Sequence, residues 1–432
     1  MFSTTIPSTP RYFKIIATTL VTVVIGLLVG LNFIGAENKV ERRIGRLYEL
    51  DDPRFQHELG VLLGPPFTGG NQVSALVNGD EIFPPMLTAI RSAEKTITFE
   101  TYIYWSGDIG QQFADALSER ARHGVKVHVL LDWIGSMKME ESLLTRMTAA
   151  GVQIRRFHPP HWTHLARFNN RTHRKLLIVD GRIGFTGGVG IAPQWEGHAQ
   201  NADHWRDTHF QVKGPVVAQM QAVFIDNWIK VSGEVLHGPA YFPQLASAGP
   251  SMAQMFSSSP SGGSENMQLM YLLSITAASR NIDLSAAYFV PDELTIEALL
   301  SALKRGVRLR IIVPGEHIDS DTVRSASRAQ WGPLLAAGAV MAEYAPTMYH
   351  CKVMIVDGML VSVGSTNFDN RSFSLNDEAT LNVIDEGFAA RQTALFEADL
   401  KQARRVTLAQ WEKRSWQEKA KESFAGLIGS QL

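Results

Sequence analysis

The sequence predicts an α/β protein built from two fused, duplicated halves and preceded by one N-terminal transmembrane helix. Strand-like and helix-like segments alternate twice in the same order along the chain, which is typical of a sheet flanked by helices. A His-x-Lys-x4-Asp motif occurs once in each half, beginning at His173 and at His350. An uncharged run at residues 15–34 precedes both halves. The duplication and the uncharged run therefore define both the fold class and the order of the domains.

The composition is that of a globular protein with more than one core. The chain has 432 residues, of which 45% are hydrophobic and 19% are charged, so two domains or halves are expected. Its formal net charge is −1, whereas proteins that bind nucleic acids usually carry a basic excess; we therefore expect no nucleic-acid partner. With a single cysteine, Cys351, no intrachain disulfide can form. Strand alternation points Cys351 away from the residues on either side of it, which predicts a buried structural side chain.

Residues 1–36 are predicted to form an N-terminal membrane anchor. The run at 15–34 has about the length of a helix that crosses a bilayer. A cleaved signal peptide and a buried core helix are the alternatives, but a signal peptide normally has a shorter apolar region and a core helix rarely stays apolar on every face. Lys and Arg residues are more numerous after the run than before it, which weakly favours the cytoplasmic face for the rest of the chain.

The first half is predicted to span residues 69–246, after a charged, helix-compatible stalk at 37–68. Its first segment alternates β-branched and aromatic residues, and glycines follow both segments of helical periodicity. The predicted elements are a strand at 96–104, a helix at 111–123, a strand at 125–131 and a helix at 140–150.

The second half, residues 267–399, repeats that order, which indicates duplication of a whole domain. Its predicted elements are a strand at 281–289, a helix at 295–304, a strand at 307–313 and a helix at 331–337. The stretch 247–266 is rich in Ser, Gly and Pro and is predicted to be the loop that connects the halves.

The tail at residues 400–432 is predicted to be a basic, amphipathic C-terminal helix. Lysines and arginines alternate there with tryptophan and aliphatic residues. One interpretation is a surface helix packed on the second half. The other is a helix that lies on an anionic bilayer.

The two motifs supply the candidate catalytic residues. Each motif lies in a strand-like pattern. The side chains of its His and Lys, which are two residues apart, therefore point to the same face of the strand. Small-residue turns follow at 187–188 and 364–367, and the second turn includes Ser365 and Asn367. The candidate catalytic residues are His173, Lys175, Asp180, His350, Lys352 and Asp357.

These residue types fit the cleavage of a phosphodiester without a metal. Such a reaction needs a nucleophile, cations that neutralise the phosphoryl oxygens, and an acid for the leaving alkoxide. Two histidines can divide the roles of nucleophile and acid, through a covalent phosphoramidate. Ser365 and Asn367 can donate further hydrogen bonds to the oxygens. No cofactor and no metal is expected, because the histidine cluster at 158–164 has no acidic or thiol ligands nearby.

The motifs resemble those of the phospholipase D superfamily, and the sequence around them resembles bacterial cardiolipin synthases. The segments that carry the resemblance are 170–175, 364–373 and 375–378, and the likeness runs from about residue 69 to the C-terminus. It implies two packed α/β/α sandwich lobes, with one motif from each lobe meeting at a shared active site. It also implies a single-pass protein of the bacterial inner membrane.

The resemblance implies a role for each candidate. His173 would be the nucleophile, and His350 the general acid and then the base. Lys175, Lys352 and Asn367 would bind phosphate, whereas Asp180 and Asp357 would stabilise the architecture of the site.

Each histidine also needs an acidic partner that fixes its tautomer. Asp207 and Glu378 lie at similar distances past the two histidines and match these partners. The sequence leaves open which acid serves which histidine.

One position departs from the family pattern. Where the first motif of the family usually has Asn, this chain has Gly190. The change removes one expected phosphate donor, unless a backbone amide takes its place.

The expected activity is that of a cardiolipin synthase-type phosphatidyltransferase. It would condense two phosphatidylglycerols to cardiolipin and glycerol through a phosphatidyl-histidine. The alternatives are a phospholipase D-type hydrolase, a transferase that uses another alcohol, and a non-catalytic membrane scaffold that binds lipid; a nuclease is less favoured. The expected partners are phosphatidylglycerol and the bilayer, and the oligomeric state stays open.

Overall fold

The computed structural model describes residues 11–30, 43–159, 169–260 and 265–427, which form a mixed α/β fold. The helices within these ranges are α1 (Arg11–Gly30), α2 (Pro53–Leu63), α3 (Asn78–Arg91), α4 (Asp108–Arg122), α5 (Glu141–Ala149), α6 (Val217–Ser232), α7 (Glu265–Ala277), α8 (Glu293–Lys304), α9 (Asp321–Ala329), α10 (Trp331–Ala336), α11 (Asn370–Ser374), α12 (Glu386–Lys401), α13 (Leu408–Glu412) and α14 (Trp416–Leu427).

The strands are β1 (Thr68–Val77), β2 (Thr96–Thr101), β3 (Lys126–Asp132), β4 (Gln153–Phe157), β5 (Arg171–Thr172), β6 (Leu176–Val179), β7 (Ile183–Gly187), β8 (Thr208–Lys213), β9 (Ser251–Ser258), β10 (Asn281–Ala286), β11 (Phe289–Val290), β12 (Arg308–Pro314), β13 (Val340–Tyr344), β14 (Lys352–Val356), β15 (Leu360–Gly364), β16 (Phe368–Asp369), β17 (Asn376–Ile384) and β18 (Ala403–Val406). The eight elements predicted from the sequence are present, with their ends shifted by a few residues; the strand predicted at 281–289 is split into β10 and β11.

One continuous sheet joins the two halves. Its order in the first half is β1-β8-β7-β6-β2-β3-β4, and the corresponding order in the second half is β9-β17-β15-β14-β10-β12-β13, with β18 added at the edge. β1 and β9 pair antiparallel at the centre, as an approximate two-fold axis between the halves requires. In each half, β2 and β3, or β10 and β12, run parallel. The duplication inferred from the motifs therefore extends to the order of the strands.

Helices cover both faces of the sheet in each half. One core is shared by the halves and contains apolar residues of α6 and α12. A second core lies under α3, α4 and α5, and a third lies under α7, α8 and α10. The layers are therefore helix, sheet and helix.

The stretch 247–266, predicted to be a connecting loop, contains the central strand β9. This strand pairs with β17 along its whole length and with β1 at its start. Ala253 and Met255 are buried in the shared core. The prediction was wrong because Ser and Met have modest strand propensity, and here pairing on both sides decides the conformation.

The described part of the predicted stalk at 37–68 packs on the second half. Asp52 caps α2, and Phe55, Leu59 and Leu63 are buried in the third core. Arg43 forms an ion pair with Glu297 of α8 at 2.6 Å. The segment from residue 43 onward is therefore held against the second half and is not a free stalk.

The tail at 400–432 is not a single helix. α12 ends at Lys401, and β18 then pairs antiparallel with β13, whose edge it completes. A capping box at Thr407 starts α13, and α14 packs on α9 through Ala425. The periodicity of the tail did not reveal the break because a four-residue strand at an edge has little sequence signal. Residues 428–432 lie outside the described residues.

The N-terminal helix α1 covers most of the predicted anchor. Several of its large apolar side chains are exposed, among them Ile16, Leu20 and Leu27. Residues 31–34, the end of the predicted span, lie outside the described residues. None of the helices that the structure describes is both long and apolar enough to cross a membrane.

Candidate active site

The two motifs meet where the halves join. β5, just before His173, pairs with β17 of the second half, and the backbone N–H of His173 donates to the carbonyl of Asp377 at 2.9 Å. The backbone N–H of His350 donates to the carbonyl of Arg206, in the first half, at 2.8 Å. Each motif is therefore held by hydrogen bonds to the opposite half. Both histidines line one cavity, whose empty volume, including its open mouth, is about 670 Å³.

Each histidine is paired with an acid from the other half. His173 Nδ1 lies 2.9 Å from Oε1 of Glu378, and His350 Nδ1 lies 2.7 Å from Oδ2 of Asp207. The carboxylates accept hydrogen bonds from Nδ1–H, so Nε2 of each ring carries the lone pair. The sequence left this pairing open, and the structure shows that it crosses between the halves.

Burial sets the protonation of these pairs. It lowers the pKa of His173 and of His350 below the usual value, against the attraction of their acids. Burial alone would raise the pKa of Asp207 and of Glu378, but the paired histidine, a motif lysine and further hydrogen bonds together outweigh it, and both pKa values are lowered. Near neutral pH the site therefore holds two neutral imidazoles and two carboxylates.

The motif lysines lie beside their histidines. Lys175 Nζ donates to the carbonyl of His173 at 2.9 Å, and Lys352 Nζ donates to the carbonyl of His350 at 2.8 Å. Burial, followed by repulsion from Lys352, lowers the pKa of Lys175 to about 7. Burial also lowers the pKa of Lys352, although nearby carboxylates oppose the shift. A phosphate anion between these ammonium groups would relieve both penalties.

The turn after the second motif supports Glu378 and the cavity. Ser365 Oγ donates to Oε2 of Glu378 at 2.5 Å, so this hydroxyl orients the acid instead of lining the cavity. Asn367 does line the cavity and is 6% exposed. Its side-chain oxygen has no hydrogen-bond partner among the described residues.

The matching turn of the first half is built differently. A Cβ at Gly188 would lie 2.3 Å from Oδ1 of Asp207, so this acid can approach only a glycine. Oδ2 of Asp207 accepts from Nε1 of Trp195 at 3.0 Å. A Cβ at Gly190 would lie 2.9 Å from Cβ of Ile103 and 3.1 Å from the Trp195 ring. Ile103 and Trp195 therefore occupy the space that an asparagine at position 190 would need.

The motif aspartates lie at the far ends of their strands. Asp180 accepts from the backbone N–H groups of residues 94, 95 and 96 at 2.7–2.9 Å. Asp357 accepts from those of residues 279, 280 and 281 at 2.7–2.8 Å. Both aspartates have positive φ, +53° and +54°. Asp180 ties the start of β2 to the end of β6, and Asp357 ties the start of β10 to the end of β14. Neither aspartate lines the cavity.

Sequence reasoning did not find all of the residues that line the cavity. Two of those it missed, Trp195 and Trp205, flank the His350 ring at centroid distances of 5.4 and 5.2 Å. Arg171, Arg371 and Asn376 fall inside the segments that carried the family resemblance, which is the signal that could have found them. The lining residues that were missed are Tyr102, Ile103, Arg171, Trp195, Trp205, Tyr288, Asp319, Asp369, Arg371 and Asn376.

The other sequence candidates lie outside the site. Cys351 is buried in the shared core, as predicted, and burial raises the pKa of its thiol to about 12. Of the histidine cluster, His161 and His164 lie outside the described residues, and His158 stacks on Phe157. Among the residues that the structure does describe, no group of His, Cys, Asp or Glu could hold a metal ion.

Comparison with known proteins places this geometry in a family. The family profile described as cardiolipin synthase, PLD-like domain, matches residues 86–228 and 271–400. A cardiolipin synthase of Geobacillus kaustophilus is 34% identical over 370 residues, which cover 85% of this chain and 74% of that protein. Cardiolipin synthase A of Pseudomonas fluorescens is 35% identical over 342 residues, which cover 79% of this chain and 71% of that protein.

Solved structures match at the level of the fold. The crystal structure of phosphatidylserine synthase from Haemophilus influenzae aligns with a TM-score of 0.69 at 14% identity, and covers 88% of this chain and 99% of that chain. Polyphosphate kinase from Porphyromonas gingivalis aligns with a TM-score of 0.55 at 14% identity, and covers 91% of this chain and 57% of that chain. The matched profile and the relatives of more than 30% identity show the family: the chain belongs to the cardiolipin synthases of the phospholipase D-like superfamily.

Proposed function

We propose that this protein is a phosphatidyltransferase that condenses two phosphatidylglycerols to cardiolipin and glycerol. The observation that carries the proposal is the crossed arrangement of two histidine–carboxylate pairs around one cavity. Each imidazole is oriented with Nε2 free of the acid, and a motif lysine lies beside it. This arrangement supplies a nucleophile, an acid–base and two cations for one phosphodiester. The named relatives support the same activity.

In the first step, His173 Nε2 attacks the phosphorus of a phosphatidylglycerol. A P–N bond forms and the bond from phosphorus to the head-group glycerol oxygen breaks. The anionic diester raises the pKa of His350, because an opposite charge favours the imidazolium, and His350 then gives a proton to the leaving glycerol. Assignment of the nucleophile to His173 rests on the resemblance of the first motif to its family.

In the second step, neutral His350 takes a proton from a hydroxyl group of a second phosphatidylglycerol. That oxygen attacks phosphorus, the P–N bond breaks, and His173 is regenerated with its lone pair on Nε2. Lys175 and Lys352 neutralise the phosphoryl oxygens throughout, and Asn367 donates a hydrogen bond to them. Water as the attacking group would give phosphatidic acid, so exclusion of water separates transfer from hydrolysis.

A membrane anchor would hold this site at its lipid substrate. The exposed apolar side chains of α1, which include Ile15 and Val21, support insertion of residues 15–34 into a bacterial inner membrane. The distribution of Lys and Arg favours the cytoplasmic face for the catalytic part.

The test is mass spectrometry of the lipids formed when the purified full chain meets phosphatidylglycerol vesicles. Wild type should form cardiolipin, and His173→Ala should lose roughly a thousandfold or more in rate. His198→Ala is the matched control, because this histidine is exposed at the surface and should keep the wild-type rate. Phosphatidic acid as the only wild-type product would replace the proposal with hydrolysis. Bound lipid without any product would favour a scaffold.

A further inference from the structure

At two pairs of corresponding positions the cavity is polar in the second half and apolar in the first. The two halves correspond at these positions: the backbone N–H of Ile191 donates to the carbonyl of Ile103, and that of Phe368 donates to the carbonyl of Tyr288. Ile103 therefore corresponds to Tyr288. By the same register, Gly190 corresponds to Asn367. The duplicated scaffold thus presents different chemistry to the substrate on its two sides.

On the polar side, Tyr288 holds a carboxylate at the cavity. Its hydroxyl lies 2.8 and 2.7 Å from the two oxygens of Asp319, and both residues line the cavity. Asp319 directly precedes α9, but the residue that caps this helix is Ser320, whose hydroxyl accepts from the backbone N–H of Val323. The Asp319 carboxylate is therefore not needed to begin the helix.

An independent observation on the same wall concerns Asn376. Its side-chain nitrogen donates to Oε1 of Glu378 at 3.3 Å, which fixes the orientation of the amide. The residue is only 6% exposed and lines the cavity, and its side-chain oxygen has no hydrogen-bond partner among the described residues. A buried acceptor without a donor is costly, so it indicates a missing ligand group.

The missing group is a hydrogen-bond donor. A phosphodiester has only acceptor oxygens and cannot satisfy Asp319 or Asn376. An ammonium group would satisfy them, but three cationic side chains line the same cavity and repel it: Arg171, Lys175 and Arg371. Hydroxyl groups are neutral donors and fit both requirements.

We propose that Asp319 and Asn376 form a subsite that binds the hydroxyl groups of a glycerol head group, with Tyr288 positioning Asp319. The inference rests on the proposed function, because a phosphatidylglycerol brings such a head group to the cavity. The glycerol that leaves in the first step and the glycerol that attacks in the second are the same chemical group. One subsite therefore serves both steps and favours a polyol acceptor over simple alcohols.

The experiment offers the purified full chain phosphatidylglycerol vesicles together with isotope-labelled glycerol and 1-propanol at equal concentration. Mass spectrometry gives the ratio of labelled phosphatidylglycerol to phosphatidylpropanol. Loss of a hydrogen bond to a carboxylate should lower this ratio about tenfold in Asp319→Ala. Tyr288→Phe keeps the ring but releases Asp319, and should lower the ratio in the same direction by a smaller factor. Asp321→Ala, the same change two residues away, should leave the ratio at the wild-type value.

Several outcomes would overturn the subsite. One is a wild-type ratio in both Asp319→Ala and Tyr288→Phe while transfer continues. A second outcome concerns ethanolamine, offered as a third acceptor. If the same variants lose transfer to ethanolamine but keep the wild-type ratio for glycerol, this wall binds an ammonium ligand instead. A wild-type chain that transfers to no alcohol would instead remove the proposed function, and the subsite with it.

Discussion

The two histidine–acid pairs occupy equivalent places in the duplicated fold but have different supports. Glu378, paired with His173, accepts from the hydroxyl of Ser365 and the amide of Asn376. Asp207, paired with His350, accepts instead from the indole of Trp195. The scaffold thus repeats the geometry, while local substitutions give Glu378 a hydroxyl and an amide as donors and place two tryptophan rings against His350. In the proposed mechanism the two histidines do different work, and the predictions below test whether this difference in support matters.

The largest effect is expected when each carboxylate is removed in turn. Glu378→Gln and Asp207→Asn should each lower the rate with phosphatidylglycerol about a thousandfold, because the imidazole loses its tautomer and orientation. A phosphatidyl ester with p-nitrophenol as its leaving group needs no acid. With that substrate, Asp207→Asn should recover the rapid burst of nitrophenol seen by stopped flow, whereas Glu378→Gln should not.

Wild-type chain is the control for the burst, and each variant must bind the ester. Equal recovery in both variants would contradict the division of roles. Recovery in Glu378→Gln alone would exchange the nucleophile and the acid.

A smaller effect, the pH dependence of ligand binding, should distinguish the two motif lysines. Lys175, whose pKa is lowered to about 7, is charged below that value and neutral above it. Affinity for a phosphonate analogue of phosphatidylglycerol should therefore fall as pH rises above 7, by up to about tenfold per unit. The inhibition constant measured between pH 6 and 9 gives this slope.

In Lys175→Arg the guanidinium stays charged, so the slope above pH 7 should disappear. Lys352→Arg is the matched variant and should keep it, because nearby carboxylates oppose the lowering of the pKa at Lys352. An unchanged slope in Lys175→Arg would assign the titration to another group.

The smallest expected effect concerns the two motif aspartates, whose contacts are the same in both halves. Asp180→Asn and Asp357→Asn should each lower the free energy of unfolding by about 2 kcal/mol, because each carboxylate accepts from three backbone N–H groups. Asparagine tolerates the positive φ at both sites. Denaturant unfolding of the detergent-solubilised protein should give equal losses. A large loss of turnover without loss of stability would instead show that these aspartates take part in the reaction.

The sequence predicted the parts of this molecule that local pattern controls. The motif residues and the eight main elements follow from spacing and periodicity, and the two acids were found through the family resemblance. The crossed pairing follows from neither, because His173 and Glu378 are brought together by the pairing of β5 with β17. β9 was missed for a related reason: its conformation comes from neighbours on both sides and not from the propensities of its own residues.

The surroundings of Gly190 show the same limit on what can be predicted from the sequence. Gly190 could be recognised as a departure from the family, but nothing in the sequence indicated that Ile103 and Trp195 fill the space that a side chain at position 190 would need. Contacts between residues that are distant in the chain decide what a missing side chain means.

The antiparallel pairing of β1 with β9 makes the chain resemble two subunits fused into one. Such a contact is self-complementary, as in a two-fold symmetric dimer, and a single ancestral half could have made it with a second copy of itself. In that dimer each histidine would have taken its acid from the partner, and the two sides of the shared site would have been identical. A single chain has no such constraint, and its two halves hold different residues at the matching position, Asn367 and Gly190.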